Sequence, residues 1–330
     1  IMLAGDEPDP EIEKYFIINA LDGTILQSYT ARFPDAQVNG TVEGEIYPEN
    51  PTDPVTKRPF RNEYVDIESA GQTTTNSAGI FSMPVSAPFS SKLATFTLEG
   101  PYARVQNSNG ANYKKTKNCS TSSPCDITWT ASDRDHINLF YHMNLFHDWL
   151  RDELGHSWVN LDGTPRFNAR VNYTFANAYA GDPMQFGTDV WARSSDVIYH
   201  ECTHNVLYKI YGNWIGFPAS YSEAYAMDEG FADYFANSFT DDSIHGEGCS
   251  ANPRDHNNAR QYPGRSNYSD EGHTGGMLIG GACWDLRQRL IAAQGASGAR
   301  VADKLILEAH QILSIYPRDY YFTDPHESNL

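Results

Sequence analysis

The pattern of apolar and polar positions divides the chain into a strand-rich first part and a helical second part. Between about residues 34 and 131, short apolar runs such as 64–67 and 94–98 are separated by Gly, Pro, Asn and Ser, which is typical of short strands joined by turns. Before them, two strand-like runs flank Asp22-Gly23, and this arrangement predicts a hairpin. No group of chemically reactive residues stands out in 34–131, so we expect a packing or binding module there.

Beyond residue 131 the apolar spacing becomes that of helices. An apolar stripe predicts a first helix that Ser132 starts and Gly155 ends. Because strands come first and helices follow, the order predicts an α+β fold. The other elements predicted here are a helix from Ser194 or Ser195 to near Gly212, helices at about 222–239, 274–292 and 299–315, and strands at about 157–160 and 169–180.

Charge and composition narrow the classes of partner. A formal net charge of −18 does not suit nucleic acid or an anionic membrane, which both attract basic surfaces. No run of about 18 apolar residues is present, so we expect no membrane span. Only 20% of residues are charged and Tyr, Asn, Ser, Thr and Gly are plentiful, a composition common in secreted proteins.

The five cysteines allow more than one pairing. Cys119 and Cys125 bracket a short loop and can form a small disulfide. Cys249 and Cys283 can form a second one, which leaves Cys202. On a helix Cys202 lies about 200° from position 200, so we expect a buried thiol and not a metal ligand. The odd count weakly favours an oxidising compartment.

The clearest chemical motif is an H-E-x-x-H run at 200–204, which lies within a predicted helix. His200 and His204 are four residues apart and therefore share one helix face, where two imidazoles can grip one metal ion. Glu201 lies beside that ion and can hold a water molecule. The plain alternative is a solvated helix with two unrelated histidines. Three further histidines lack this spacing, and we expect core or surface roles for them: His136, His142 and His147.

A stable zinc site needs a third protein ligand. Downstream, Glu229 can complete a set of two histidines and one glutamate. Asp233, one helical turn later, can accept the second ring N–H of a ligating histidine. Glu223 is the alternative ligand, and Glu229 is preferred because only it has a carboxylate four residues further on.

These motifs, in this order, resemble the gluzincin metallopeptidases, both thermolysin and the fungalysin type. The glutamate follows the second histidine by 25 residues within E-G-x-x-D, a longer gap than thermolysin's and closer to the fungalysin type. Residues 177–187 are similar to the thermolysin strand N-A-x-x-x-G-x-x-M-x-x-G. Residues 271–276, followed by 282–286, look like the fungalysin segment that contains a catalytic histidine. The resemblance covers roughly 132–315.

The resemblance implies a thermolysin-like zincin catalytic domain that carries Zn²⁺. It implies that Glu201 acts as general base and that His273 stabilises the oxyanion. It also implies that Asn177 and Ala178 bind the backbone of a peptide substrate. Three points stay open: the carboxylate that orients His273 (Asp270 or Glu271), the assisting tyrosine (Tyr208, Tyr211 or Tyr221), and a Ca²⁺ site at Asp196 with Asp241, Asp242 and Glu247.

The resemblance also implies a domain order. Residues 1–33 resemble the last strands of the family's propeptide, and 34–131 resemble a carboxypeptidase-regulatory-type β-sandwich. Residues 132–330 match the catalytic domain. Fungalysin-like chains run on beyond the position that corresponds to Leu330, so we expect this domain to be C-terminally incomplete.

We therefore expect a secreted zinc endopeptidase that acts on protein or peptide substrates. One alternative is a gluzincin aminopeptidase, which would need acidic residues that hold a free amine, and no such motif precedes His200. Another is a non-catalytic or zymogen-like zinc-binding adhesin on the same scaffold. The intact Glu201 argues against it, because a pure scaffold has no chemical need for that base.

Overall fold

The protein mixes helices and sheets, and this confirms the predicted α+β class. The computed structural model describes residues 12–19, 21–32, 36–85, 91–131, 134–158, 160, 162–212, 223–261 and 271–314. The chain divides into two compact units. The first is formed by the described residues of 1–43, 59–97 and 114–128, and the second by those of 44–58, 98–113 and 129–330.

Most of the strands precede the first helix along the chain. The strands are β1 (Ile12–Ile18), β2 (Ile25–Arg32), β3 (Ala36–Ile46), β4 (Thr56–Pro59), β5 (Tyr64–Ile67), β6 (Gly71–Thr74), β7 (Ile80–Val85), β8 (Lys92–Thr97), β9 (Ala103–Asn107), β10 (Lys114–Cys119), β11 (Ile127–Trp129), β12 (Phe167–Tyr173), β13 (Ala178–Tyr179), β14 (Met184–Gly187), β15 (Ile244–His245) and β16 (Arg254–Asp255). The helices are α1 (Asp135–Asp148), α2 (Ser195–Tyr211), α3 (Glu223–Thr240), α4 (Gly272–Gln294) and α5 (Ser297–Leu313).

The first unit is built from antiparallel strands. β1 and β2 form the predicted hairpin, β3 pairs with β7, and a separate sheet has the order β10-β8-β5-β6. Along β3, buried Val38 and Val42 alternate with more exposed neighbours, as expected for a sheet with one covered face. Phe81 and Phe96 meet edge to face with ring centroids 5.9 Å apart, an arrangement that aromatic rings favour.

The cysteines are paired only in part as expected. The disulfide between Cys119 and Cys125 is present. The second pairing is wrong, because Cys249 and Cys283 are both free thiols. The Cys249 sulfur turns toward the Gly246 carbonyl, 3.3 Å away, while Cys283 is buried in α4. Cys202 is fully buried, as predicted.

The second unit combines a mostly parallel sheet with a series of helices. Its sheet has the order β13-β14-β12-β9, in which β12 runs parallel to both neighbours and β13 is an antiparallel edge strand. α1 lies against β9 and β12, and the later helices pack in sequence, α2 on α3, α3 on α4 and α4 on α5. None of the described helices is long and apolar enough to cross a membrane.

Two predicted boundaries hold and one predicted strand does not form. α2 follows Ser194 and ends at Gly212, whose φ of 70° is a left-handed conformation that glycine adopts without steric cost. Ser132 lies outside the described residues, and α1 is described from Asp135. The described residues of 157–160 form no strand; instead Trp158 is buried and stacks on Phe167 at 4.0 Å.

His142 contacts α2, the helix that carries the H-E-x-x-H motif, through Tyr199. It is 1% exposed, its Nδ1 lies 2.5 Å from the Tyr199 hydroxyl, and its Nε2 lies 2.9 Å from the Tyr47 carbonyl oxygen. Because a carbonyl oxygen only accepts, Nε2 carries the proton and Nδ1 accepts from Tyr199. Burial lowers the pKa of His142 from 6.5 to about 4, so the ring is neutral in the folded protein. This is a core role, as predicted.

The neutral His142 makes stability depend on pH. Between pH 6.5 and about 4, His142 binds a proton in the unfolded chain but not in the folded chain. Stability therefore falls as the pH falls through this window. The expected loss is about 3 kcal/mol across the window. His142→Gln, which has no proton to take up, flattens this dependence. Urea unfolding of both proteins at pH 7 and pH 4.5 measures it; equal losses in parent and variant would contradict the argument.

Candidate metal centre

Two helices bring the motif histidines and one glutamate to a single buried point. His200 and His204 lie one turn apart on α2, and Glu229 lies on the facing helix α3. The two Nε2 atoms are 3.0 Å apart, and Glu229 Oε2 lies 3.1 Å from the first and 3.4 Å from the second. All three residues are buried, and their ligand atoms form one group capable of holding a metal ion.

The spacing of these atoms suits a zinc-sized cation. Tetrahedral ligands about 2.0–2.1 Å from zinc lie about 3.3 Å from one another, and the three observed separations are 3.0, 3.1 and 3.4 Å. Hydrogen bonding alone does not explain the arrangement. Glu229 Oε2 is buried and has no hydrogen bond of good geometry, and two facing imidazole nitrogens satisfy each other only if one is protonated. A shared cation satisfies all three groups.

A carboxylate oxygen lies close to the Nδ1 atom of each histidine. His200 Nδ1 lies 2.8 Å from Asp233 Oδ1, which is the contact predicted for Asp233. His204 Nδ1 lies 3.3 Å from Asp228 Oδ2, a contact that the sequence argument missed. An ionised carboxylate only accepts, so the proton of His200 is held on Nδ1 and its Nε2 lone pair is directed to the shared point.

The choice between the two candidate glutamate ligands follows from their positions on α3. Glu223 is the first residue of the helix and is exposed. Glu229 is buried, and Glu223 belongs to no candidate ligand group among the described residues. The structure therefore brings Glu229, and not Glu223, to the two histidines.

The surroundings lower the pKa of Glu229 and raise the pKa of Glu201. Burial alone would raise the pKa of Glu229, but His204 and His200 hold it well below its usual range, so this carboxylate is ionised. Burial raises the pKa of Glu201, while the neighbouring histidines oppose the shift. An ionised Glu229 suits a metal ligand, and a raised pKa makes Glu201 a better proton acceptor.

Three side chains on or next to the two-stranded ribbon of β15 and β16 contact Asp233. Arg254 donates to both of its oxygens, with Nε and Nη2 each at 2.6 Å. His256 Nε2 lies 3.1 Å from Oδ2, and His245 Nε2 lies 3.4 Å from Oδ1. Arg254 and His256 are two residues apart and therefore leave the strand segment on the same face. The sequence analysis identified none of these three residues.

A second candidate ligand group overlaps the first. His200, Asp233 and His245 also bring ligand atoms within 4.8 Å of one another. However, the Arg254 guanidinium already occupies both oxygens of Asp233 at 2.6 Å. A cation placed at this group would meet that positive charge at close range. The group that contains Glu229 is therefore the better metal site.

His273 lies at the more open side of the centre. Its Nε2 is 3.0 Å from Glu229 Oε2, and its Nδ1 pairs with Glu271. Glu271 also caps α4 by accepting from the Thr274 amide. Burial alone would lower the pKa of His273, but the adjoining Glu229 and Glu271 carboxylates raise it to about 10. Of the two carboxylates proposed to orient His273, Glu271 contacts its Nδ1, while Asp270 lies outside the described residues.

The predicted substrate-binding residues lie on or next to the edge strand. Ala178 is buried in β13, and Asn177, directly before it, is exposed. The loop after β13 is pinned to α2, because Gly181 N donates to Asn205 Oδ1 at 2.8 Å and Asn205 Nδ2 donates to Gly181 O at 2.9 Å. Asn205 directly follows His204, so the edge strand is anchored beside the motif.

Of the three candidate tyrosines, Tyr208 and Tyr211 are among the described residues. Tyr208 is 2% exposed and stacks on His204 with ring centroids 5.6 Å apart. The Tyr211 hydroxyl lies 2.8 Å from His310 Nδ1. Tyr221 lies outside the described residues.

The residues predicted for calcium line one cavity. Asp196 is 7% exposed, accepts from the Gly246 amide at 3.1 Å, and has its pKa raised to about 7, chiefly by burial. Nearby carboxylates repel its negative charge and add to the shift. The full lining is Glu49, Asn50, Asp196, Thr240, Asp241, Asp242 and Glu247.

Comparison with known proteins adds little to this geometry. No family model matches the chain, and no curated protein matches it. A solved structure to which it is similar is the precursor of protealysin, a metalloproteinase from Serratia proteamaculans. The match has 16% sequence identity and a TM-score of 0.30, and it covers 42% of each chain. The chain thus matches less than half of that protein's length.

Proposed function

We propose that this protein is a zinc-dependent endopeptidase. The observation that carries the proposal is the buried convergence of His200, His204 and Glu229, whose ligand atoms lie 3.0 to 3.4 Å apart. Glu201, the residue expected to act as base, stands in the same turn of α2. A zinc ion held there supplies a Lewis acid and lowers the pKa of a bound water molecule.

The chain's own residues then account for the proton movements. Glu201 accepts a proton from the attacking water and delivers it to the leaving amine nitrogen. His273, held by Glu271, donates from Nε2 to the oxygen that gains negative charge. Asn177 and Ala178 offer backbone groups to an extended peptide at the sheet edge. The peptide C–N bond breaks, and the products are a carboxylate and an amine.

We extend the proposal to location and domain roles. The disulfide between Cys119 and Cys125 supports secretion, since such bonds persist in oxidising compartments. The β1–β2 hairpin supports a propeptide role for 1–33, followed by a β-rich domain and a catalytic domain from 132 onward. The carboxylate-lined cavity at Asp196 supports a Ca²⁺ site that stabilises the fold.

One experiment tests the central proposal. Zinc and calcium are measured on the purified full chain, together with cleavage of an internally quenched peptide whose N-terminus is blocked. We expect one zinc per chain and cleavage that a chelator abolishes and added zinc restores. Cleavage only of substrates with a free N-terminus would favour the aminopeptidase. Bound zinc without any cleavage would favour the adhesin or a zymogen-like form, and absence of zinc binding would overturn the proposal.

A further inference from the structure

Tyr225, which no sequence argument singled out, lies within the metal centre. It precedes Glu229 by four residues on α3, so the two side chains share a helix face. Burial raises the pKa of the Tyr225 phenol, and the negative charge of Glu229, on the same helix face, raises it further. Its ring also meets His273 edge on, with centroids 6.4 Å apart and planes at 81°. A phenol thus lies on the same helix face as the carboxylate that three histidines approach.

The backbone of α4 fixes where this ring lies. Gly272, the buried first residue of α4, has its Cα against the ring, and a Cβ there would overlap the ring carbons Cδ1 and Cε1 of Tyr225. The ring therefore occupies space that only glycine leaves open. Since His273 is the next residue, the first turn of α4 positions both Tyr225 and His273 around Glu229.

We propose that Tyr225 is a positioning residue for the metal ligand Glu229. This inference rests on the proposed function and deepens it. A carboxylate on a short flexible side chain can turn away from a cation or bind it through either oxygen. A phenol that donates to it restricts this rotation and holds the ligating oxygen toward His200 and His204. Partners of this kind, one step behind a ligand, contribute about 10- to 100-fold to metal affinity.

The test is zinc affinity, measured on the metal-free full chain by competition with a chromophoric chelator. We expect Tyr225→Phe to bind zinc about 10- to 100-fold more weakly than the parent. Its circular dichroism and thermal unfolding as metal-free protein should match the parent's. Tyr211→Phe is the matched control, because that phenol bonds with His310 and should leave zinc affinity unchanged.

Gly272→Ala provides an independent route to the same effect. Alanine is favourable within a helix, but its methyl group displaces the Tyr225 ring, so zinc affinity should fall while α4 stays intact. The double variant should bind zinc no more weakly than the weaker of the two single variants, since both changes remove one interaction. Additive losses would show that Gly272 acts by another route and would overturn the assigned geometry.

The outcomes separate this inference from the proposed function. If the parent binds no zinc, the proposed function itself fails. If the parent binds zinc and Tyr225→Phe binds it equally well, the positioning role is wrong and the proposed function stands. Unchanged zinc affinity with a lowered kcat would also overturn the positioning role, because the phenol would then act on the substrate.

Discussion

Replacing Glu201 by glutamine leaves zinc bound and lowers peptide turnover by about 10²- to 10⁴-fold, the contribution expected of a general base. Glutamine keeps the size of the side chain and its buried position on α2. It cannot accept a proton from water or pass one to the leaving nitrogen. The three candidate ligands stay in place, so metal content should not change.

Parallel measurement of zinc content and kcat distinguishes this effect from loss of the metal. Glu308→Gln makes the same chemical change at an exposed position of α5 and should keep full turnover. If Glu201→Gln turned over peptide at the parental rate, Glu201 would not be the base. If it lost zinc, the residue would support the centre by another route.

The parts of the site that the sequence could predict are those set by local helical geometry. His200 and His204 share a face because they are four residues apart, and the same rule links Glu229 to Asp233. α2 ends at Gly212 for an equally local reason, since glycine tolerates the left-handed conformation found there. In each case the signal lies within a few residues, so no knowledge of the fold was needed.

The parts that could not be predicted depend on contacts between distant segments. Arg254 and His256 lie in a stretch with no clear periodicity, and only the folded ribbon brings them to Asp233. Asp228 reaches His204 because α3 packs on α2. The predicted disulfide between Cys249 and Cys283 is absent for the same reason, since spacing along the chain does not fix the distance between two sulfur atoms.

The Asp233 side chain contributes both to the metal centre and to the stability of the fold. It is fully buried, and it accepts from Arg254 through both oxygens while contacting His200 and His256. Burial alone would raise the pKa of Asp233, but Arg254 and His245 hold it well below its usual range. Its negative charge therefore balances a guanidinium whose side chain is only 18% exposed.

Asp233→Asn should destabilise the metal-free protein by about 3 to 5 kcal/mol, because it leaves the Arg254 charge buried without a counter-charge. It should also weaken zinc binding by about 10- to 100-fold, because the amide holds His200 less firmly. Urea unfolding of the metal-free protein and chelator competition measure the two effects separately. Asp285→Asn, the same change at an exposed position of α4, should alter neither.

Removing both charges tests whether the stability loss comes from the unpaired guanidinium. In the double variant Asp233→Asn with Arg254→Gln, no buried charge is left without a partner, so its loss of stability should be smaller than the sum of the two single losses. Zinc affinity should stay low, because His200 still lacks its carboxylate. A recovery of stability without a recovery of zinc affinity would show that Arg254 acts on the fold through Asp233, whereas Asp233 acts on the metal through His200. Strict additivity would instead show that Asp233 and Arg254 contribute to stability independently, despite their 2.6 Å contacts.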